Sequence, residues 1–387
     1  MMRSSTIISA LYWVITLQVC VISVSIAASS LLLGVTVLSL LALLFVDRRP
    51  LLVPTGIDTA VAAYIVIEFL TALTSDHTGD ALKNSKRLLL IAIVYATAVS
   101  FTSAGTIRSA LYLFAGAVAL LSAAEIVLYY TNSSERLFVF QHYMTTGGLK
   151  MIVALLLLPF ILDPGTEKRD RIAAAAAFVP VLAALVLTNT RSAWLGFLAG
   201  IVVMSVLRYR KLAIAAALAV VLFFQFAPER QVSRALSIVD LNHPSNSARI
   251  AMWTTGLRMW QDRPLLGFGD IDLYDTYLTY RTPTGDEPAG HLHNTYVHLL
   301  VTTGLIGLSV VLFLFYRILR MEYRISREER GTPFTRTIAL GALAVFIGFM
   351  VNGFFEWNFG DHEIMVFIWF TVGLAVSAGR TAEQGAA

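Results

Sequence analysis

The sequence has few charged residues and only one cysteine. Of its 387 residues, 14% are charged, compared with roughly 25% in a typical soluble domain, while 57% are hydrophobic. A soluble core of this length could not bury so much apolar surface, but lipid tails can cover it. Cys20 lies inside an apolar run, so no disulfide framework is present. The composition therefore predicts an integral membrane protein.

Motifs for binding nucleotides are also missing. No GxxxxGK[ST] segment occurs, and no GxGxxG follows a predicted strand. The net charge of +4 is too small to indicate a nucleic-acid partner, and membrane loops rich in Arg account for its sign. The sequence contains no internal repeats or low-complexity tracts, and it indicates no cofactor.

Hydrophobic segments long enough to cross a membrane occur along the whole chain. A helix needs about 20 apolar residues to cross the hydrocarbon layer, and about twelve segments qualify. We therefore predict an all-α polytopic membrane protein in which residues 1–387 form a single membrane domain. The predicted spans are 7–27, 28–46, 57–75, 88–104, 107–131, 149–163, 172–190, 191–207, 212–227, 294–316, 336–355 and 363–379.

Two pairs of predicted spans follow one another almost without a loop. The boundaries at 27/28 and 190/191 divide apolar runs that are too long for one span, so a tight hairpin is predicted at each. Ser25-Ile26-Ala27 also resembles a signal-peptidase site. An uncleaved first helix is favoured because the residues that follow are again hydrophobic.

The Arg and Lys residues of the short loops predict the orientation of the chain. With the N-terminus inside, four basic loops and both termini are cytoplasmic, whereas Lys83, Lys86 and Arg87 fall outside and are the exception. The longest polar stretch, 228–293 between spans 9 and 10, is then a large periplasmic loop, away from cytoplasmic ATP and nucleotide sugars. The cytoplasmic basic residues are Arg48, Arg49, Lys168, Arg169, Arg171, Arg208, Arg210, Lys211, Arg317, Arg320, Arg324, Arg327 and Arg330.

Candidate anion-binding residues are concentrated near this loop. A helix is predicted from Ser245, with Asn246 or Ser247 as its cap, and Arg249 lies near its N-terminus, where backbone N–H groups and a guanidinium can hold a phosphate. Arg191 lies between two apolar spans, where an Arg costs roughly 2.5–3.5 kcal/mol, which favours anion binding over snorkelling. External Arg residues are more commonly solvated or bound to lipid headgroups. Those of the loop are Arg230, Arg234, Arg249, Arg258, Arg263 and Arg281.

Three histidines lie close together at the end of the loop. Histidine transfers protons near neutral pH, and His291 and His293 face the loop, whereas His298 lies inside span 10 and is placed to bond a neighbouring helix. A metal site is the alternative interpretation, but a metal-independent reaction is favoured because acidic pairs are common in polar loops. The candidate ligand sets are His291 with His293, Asp270 with Asp272, and Asp361-His362-Glu363.

Several short motifs occur in a fixed order between about residues 190 and 310. They are Arg191-Ser-Ala-Trp194-Leu-Gly196, Arg249-x3-Trp253, Asp262-x-Pro264-Leu-Leu-Gly267-x-Gly269, His293-Asn294-x-Tyr296 and Gly304-x2-Gly307. This ordered set resembles the O-antigen ligase family of integral membrane glycosyltransferases. The resemblance implies a GT-C-like, multi-pass protein of the bacterial inner membrane, with an active site that faces the periplasm.

The resemblance also implies substrates and residue roles. The family includes ligases that move a glycan from undecaprenyl pyrophosphate to lipid A-core, polymerases that lengthen such glycans, and ligases that use protein acceptors. Arg191 and Arg249 would bind the pyrophosphate of the donor, and His293 would be the base that activates an acceptor hydroxyl. The candidate supporting residues are His291, Arg258, Asn294 and Trp253. Glu356, Asp361 and Glu363 cluster on the same side without an assigned role.

Within the family, a ligase with a lipid A-core acceptor is predicted rather than a polymerase. A polymerase holds two lipid-linked chains, whereas 228–293 is the single large external loop and 132–148 is short, with only Arg136. The spacing of Arg258 and Gly269 resembles that of polymerases, so this alternative stays open. A transporter for lipid-linked glycans is less favoured because paired halves are not apparent in the sequence. A membrane scaffold would leave the Arg and His residues unexplained.

Overall fold

The computed structural model describes residues 2–47, 53–132, 135–282, 290–328 and 331–384. These residues form sixteen α-helices and one 3-10 helix, Ser85–Ile91, and contain no strand, so the predicted all-α class is confirmed. The α-helices are α1 Met2–Val21, α2 Ile26–Asp47, α3 Asp58–Thr74, α4 Thr78–Asn84, α5 Ala92–Ser100, α6 Ala104–Thr131, α7 Tyr143–Leu162, α8 Lys168–Leu187, α9 Arg191–Leu207, α10 Arg210–Phe226, α11 Glu229–Leu236, α12 Pro244–Asp262, α13 Tyr274–Tyr280, α14 Thr295–Ser326, α15 Pro333–Asn352 and α16 His362–Gln384.

Eight of the described helices are long and apolar enough to cross a membrane, as expected of a polytopic membrane protein. They are α1, α2, α6, α7, α8, α14, α15 and α16. The other four predicted spans coincide with α3, α9, α10 and the 3-10 helix followed by α5. Each of these is about 25 Å long, slightly shorter than the hydrocarbon layer of about 30 Å. Twelve spans therefore remain a prediction.

Three helices, α7, α15 and α16, form the centre of the bundle, because most of their side chains are buried. Helix α9 packs closely on α15 through two glycines. A Cβ atom on Gly348 would lie 2.8 Å from the carbonyl oxygen of Gly196, and a Cβ on Gly196 would overlap Gly348 in turn. Small residues allow membrane helices to approach this closely. The packing places the start of α9, and with it Arg191, against the central helices.

The connecting segments form two groups, one at each end of the bundle. At the end called here the His293 face, Gln141 donates to the carbonyl of Ile22 (2.7 Å) and Asn84 to that of Asp270 (3.0 Å). Thr145 also bonds Asp361 there (2.8 Å). At the other end, called here the opposite face, different loops meet. Arg108 pairs with Glu167 (2.7 Å), Arg208 with Asp163 (2.6 Å), and Arg327 contacts the carbonyl of Leu207 (3.4 Å).

The loops predicted to be periplasmic meet at the His293 face, and the loops predicted to be cytoplasmic meet at the opposite face, so this grouping agrees with the predicted topology. The turns at Ile22–Ser25 and Thr188–Thr190 also lie where tight hairpins were predicted. Of the basic residues predicted to be cytoplasmic, Arg48, Arg49 and Arg330 lie outside the described residues.

Arg87, one of the basic residues that did not fit the charge rule, is neutralised inside the protein. Its guanidinium pairs with Glu68 of α3 (2.8 Å) and with Asp270 of the large loop (3.1 Å), and the side chains of both acids are less than 10% exposed. The two carboxylates compensate its charge where it lies. This local pairing explains how an Arg can occupy the side on which few basic residues were expected.

Helix α14 is broken at Gly304, where φ is 66° and ψ is −171°. The segment Pro264–Gly269 of the large loop inserts at this break and supplies the missing backbone partners. The N–H of Leu305 donates to the carbonyl of Pro264 (2.9 Å), and the N–H of Gly269 donates to the carbonyl of Thr302 (2.8 Å). A Cβ atom on Gly304 would overlap the backbone of Leu265, so the close approach requires glycine there.

The two faces predict different labelling of introduced cysteines. Val239 lies on the His293 face and is 81% exposed, and Glu328 lies exposed on the opposite face. In a Cys20→Ala background, Val239→Cys should react with an impermeant maleimide in cells with a permeabilised outer membrane. Glu328→Cys should react only after the inner membrane is opened. If only Glu328→Cys were labelled in sealed cells, the orientation of the chain would be the reverse of the predicted one.

Candidate active site

His293 lies on the short segment that enters α14, and its position is fixed from both sides. Trp253 of α12 donates its indole N–H to the carbonyl of Leu292 (3.1 Å). Asn294 caps α14 by accepting from the N–H groups of Tyr296 and Val297, and its amide donates to the carbonyl of Phe354 (2.9 Å). His293 itself has a φ of 45°, a conformation uncommon for a non-glycine residue. Trp253 and Asn294, two of the four predicted supporting residues, therefore hold the backbone around His293.

The imidazole of His293 is paired with Glu356, from the turn between α15 and α16. Nδ1 lies 3.1 Å and 3.3 Å from the two carboxylate oxygens. Burial raises the pKa of Glu356, but hydrogen bonds from His293 and from the backbone N–H of Trp357 outweigh it and hold the pKa below its ordinary value. An ionised Glu356 fixes the proton on Nδ1, so Nε2 is left as the proton acceptor.

His291 lies against His293, with ring centroids 4.3 Å apart and the rings at 75°. Burial lowers the pKa of His291, so its imidazole is neutral at pH 7. Its Nδ1 is buried and has no hydrogen-bond partner. The nearest ligand atoms of His291, His293 and Glu356 lie within 4.8 Å of one another, which is close enough for all three to bind one metal ion. The His-x-His metal alternative is therefore geometrically open.

These residues line a cavity of about 520 Å³ on the His293 face. Asp361 also lines it, and its carboxylate accepts from the hydroxyl of Thr145 (2.8 Å) and from the N–H groups that begin α16. Of the three acidic residues that the sequence left unassigned, Glu356 thus contacts His293 and Asp361 caps a helix. Glu363, in the first turn of α16, is not among the residues that line this cavity.

A second cavity, of about 250 Å³, is lined by four arginines that come from separate parts of the chain. They are Arg136, Arg191, Arg234 and Arg249. Among the described residues, none of the four has a carboxylate within ion-pair distance. Burial lowers the pKa of Arg234 to about 10, and the charges of Arg136 and Arg249 contribute to the shift. Arginine side chains keep their charge in proteins, so the cavity has a strong positive potential.

Arg191 holds this cavity together through its own hydrogen bonds. One terminal nitrogen donates to the carbonyl (2.6 Å) and hydroxyl (2.9 Å) of Ser237, and the other to Ser245 (2.6 Å) and Asn246 (2.7 Å). Its four terminal N–H groups are therefore directed at the large loop. Arg191 contributes positive charge to the cavity and also ties the start of α9 to the segment before α12.

Arg249 is more available to a ligand than Arg191 is. It is half-buried, and its Nε atom is buried without a hydrogen-bond partner. It lies near the N-terminus of α12, as predicted, but the helix begins at Pro244 and its cap is His243 rather than Asn246 or Ser247. Pro at the first helical position accounts for the earlier start. Pro244 and Ser245 line the cavity, so the N-terminal end of the α12 dipole adds to its positive potential.

The arginine cavity and the cavity around His293 are neighbours. Met144 lines both, and the consecutive residues Phe355 and Glu356 line one each. Burial lowers the pKa of Arg249, while the nearby charge of Glu356 acts to raise it. An anion in the arginine cavity would therefore lie next to the cavity that His293 lines.

The structure separates the predicted residues. Arg191 and Arg249 line one cavity and His291 and His293 the other, whereas Arg258 is exposed on α12 and lines neither. The sequence alone assigned no role to Arg136 or to Glu356, and it placed Glu356 only in an unassigned acidic cluster. Arg136 packs over the ring of Tyr143 at 4.1 Å, and its one sequence signal was its place in the short external loop 132–148.

Two comparisons with known proteins bear on this site. No curated protein matches the chain. Residues 176–312 match a protein-family model described as O-Antigen ligase. This segment contains Arg191, Arg234, Arg249 and His293, whereas Arg136 and Glu356 lie outside it. The match confirms the resemblance seen in the motif order, and it shows that residues 176–312 are similar to the O-antigen ligase family.

Proposed function

We propose that this protein transfers a glycan from undecaprenyl pyrophosphate to a hydroxyl of a lipid A-core oligosaccharide, at the periplasmic side of the bacterial inner membrane. The family match supports the broader statement that the chain is a ligase or polymerase for lipid-linked glycans. The observation that carries the finer proposal is the contact between the four-arginine cavity and the cavity around the His293–Glu356 pair.

The arginine cavity suits the pyrophosphate of the donor. Guanidinium groups bind phosphate oxygens through paired N–H donors, and here four of them line one cavity in which no carboxylate of the described residues pairs with them. Displacing pyrophosphate from an anomeric carbon places negative charge on the departing oxygen, which these groups stabilise. Arg191 orders the wall of the cavity, while Arg136, Arg234 and Arg249 supply N–H donors. The apolar helices around them suit the polyprenyl chain.

The His293–Glu356 pair suits the acceptor side of the reaction. Nε2 of His293 takes the proton of the acceptor hydroxyl as its oxygen bonds to the anomeric carbon, and the bond from that carbon to pyrophosphate breaks. The carboxylate of Glu356 stabilises the imidazolium that forms. No ATP is consumed, because the bond between the anomeric carbon and the pyrophosphate of the donor, which breaks in the transfer, supplies the free energy.

A further cavity is lined by His291 and by none of the four arginines of the arginine cavity, and it suits a sugar acceptor. It has a volume of about 670 Å³ and is lined by Tyr64, Trp357, Phe359 and Trp369, together with polar groups such as Asp272. Aromatic faces and a few polar groups are typical of sites for ligands with both apolar and hydroxyl-bearing surfaces. Exposed Ser30 of α2 and Leu89 lie at its edge, so an acceptor carried by a lipid could enter between these helices.

Replacing His293 by Ala should reduce glycan transfer by about 10²–10⁴, because a general base contributes a factor of this size. Glu356→Gln removes the charge that stabilises the imidazolium, so we expect a smaller loss of kcat with KM nearly unchanged. Both variants are compared with wild type in single-turnover transfer assays with purified donor. His77→Ala is the matched control, since His77 is exposed on the same face.

The assignment of His293 as a base would be wrong if His293→Ala kept full activity, and attention would then move to His291. The same assays in EDTA decide between the base and the metal site. We expect activity to survive chelation. Loss of activity that a divalent ion restores would favour metal binding by His291, His293 and Glu356.

Arg249→Ala should lower transfer by about 10²–10³, the usual effect of removing one donor that stabilises a developing negative charge. Arg249→Lys should recover little of this, because an ammonium group cannot replace the planar fork of donors. Arg258→Ala is the control. Arg258 lies on the same helix but is exposed, and we expect its variant to differ from wild type by less than about twofold. Equal losses in both variants would argue against a specific pyrophosphate site.

The choice between ligase and polymerase depends on the acceptor. Reconstituted protein is given undecaprenyl-linked glycan with or without lipid A-core, and the products are separated by size. We expect transfer to lipid A-core and no elongation without it, since a single large loop covers one donor. Glycans that lengthen on the polyprenyl carrier when no core acceptor is present would establish the polymerase alternative.

A further inference from the structure

The opposite face contains a second cluster of arginines, far from the proposed active site. A cavity of about 560 Å³ lies between the end of α14, the end of α16 and the segment Pro54–Gly56. Along α14, Arg317 lies about 35 Å from His293 at 1.5 Å per residue, so this cavity is not part of the site already described. Its arginines are Arg317, Arg320, Arg324 and Arg380.

The positive charges of this cavity are not balanced by any carboxylate of the residues that the structure describes. Among the described residues, none of the four arginines has a carboxylate within ion-pair distance. Arg317 donates to the hydroxyl of Thr59 (3.1 Å) and to the carbonyl of Gly56, and Arg380 donates to the carbonyl of Ala98 (2.6 Å). These acceptors are neutral, so they orient the guanidinium groups but leave their charge available to an anion.

Two of the arginines have no protein acceptor among the described residues. Arg320 and Arg324 are exposed and line the cavity from successive turns of α14. Glu322, which lies between them in sequence, is fully buried, so its carboxylate does not reach the cavity. An anion would therefore meet two guanidinium groups free to move onto it and two that are already held in place.

The surroundings of the cavity indicate a membrane-borne ligand. The guanidinium of Arg317 lies over the ring of Phe313, 5.7 Å from its centroid. Phe313, Tyr316 and Tyr323 are 42–54% exposed on the same helix. Exposed aromatic residues beside Arg are typical of the membrane–water interface. The cavity thus opens beside a surface that lipid would cover.

We propose that this cavity binds the phosphate of an anionic phospholipid headgroup, such as that of phosphatidylglycerol, from the leaflet at the opposite face. Basic pockets between transmembrane helices are suited to such headgroups, and guanidinium groups match the phosphate oxygens. The bound lipid would join α14, α16 and the start of α3. The proposal does not depend on the glycan transfer reaction.

The test measures lipid binding by the full-length protein in detergent, by native mass spectrometry during titration with phosphatidylglycerol or phosphatidylcholine. All variants carry Arg249→Ala, so that the arginine cavity on the His293 face does not contribute. Arg320→Gln with Arg324→Gln should weaken binding of phosphatidylglycerol about 30-fold. Each Arg near an anionic lipid surface contributes about 1 kcal/mol, and every 1.4 kcal/mol is a factor of ten.

Arg210→Gln with Arg327→Gln is the matched control, because both residues are exposed on the opposite face and neither lines the cavity. We expect this pair to bind phosphatidylglycerol as tightly as the parent. Three results would overturn the proposal. The control pair could lose as much affinity as the test pair, phosphatidylcholine could bind equally well, or inorganic phosphate could displace the lipid at micromolar concentration. The last result would indicate a soluble phosphate ligand.

Discussion

In a membrane, a backbone N–H or C=O group without a partner costs several kcal/mol, and the break in α14 creates such groups at Gly304. The inserted segment Pro264–Gly269 satisfies them with its own backbone. This segment directly follows α12, and α14 directly follows His293. The insertion therefore fixes the position of α12, which contains Arg249, relative to the start of α14, which His293 precedes. Arg249 reaches its cavity, and His293 reaches Glu356, because the loop that joins them is bonded into the helix bundle.

A second constraint is electrostatic. Four guanidinium groups around one cavity repel one another, and their mutual repulsion is part of what lowers the pKa of Arg234. A protein optimised for stability alone would pair such groups with carboxylates, as it does for Arg87 with Glu68 and Asp270. Among the described residues the four arginines of the cavity have no such carboxylate partner, and this contrast on one face is what the proposed binding of an external anion would require.

The sequence was sufficient for the all-α class, for the positions of the apolar helices and for the turns near residues 25 and 189, because these depend on local hydrophobicity. It also singled out His293 and Arg249, which the structure places at two neighbouring cavities, and their roles remain predictions. It could not predict the contact between His293 and Glu356, because the two are 63 residues apart and meet only through tertiary packing. Helical geometry explains why Arg258 lies outside the cavity. It follows Arg249 by nine residues, which is two and a half turns, so its side chain lies on the opposite side of α12.

The arginine cavity also has a consequence for turnover. In the proposed reaction the group that anchors the donor is the same group that leaves, so the spent polyprenyl pyrophosphate keeps every contact with Arg136, Arg234 and Arg249 that the donor had. Bond breaking adds charge to this group, and the cavity then holds the product more tightly than the substrate. The slow step would be the escape of the used carrier into the lipid, and the cellular machinery that removes the carrier would set the pace of glycan transfer.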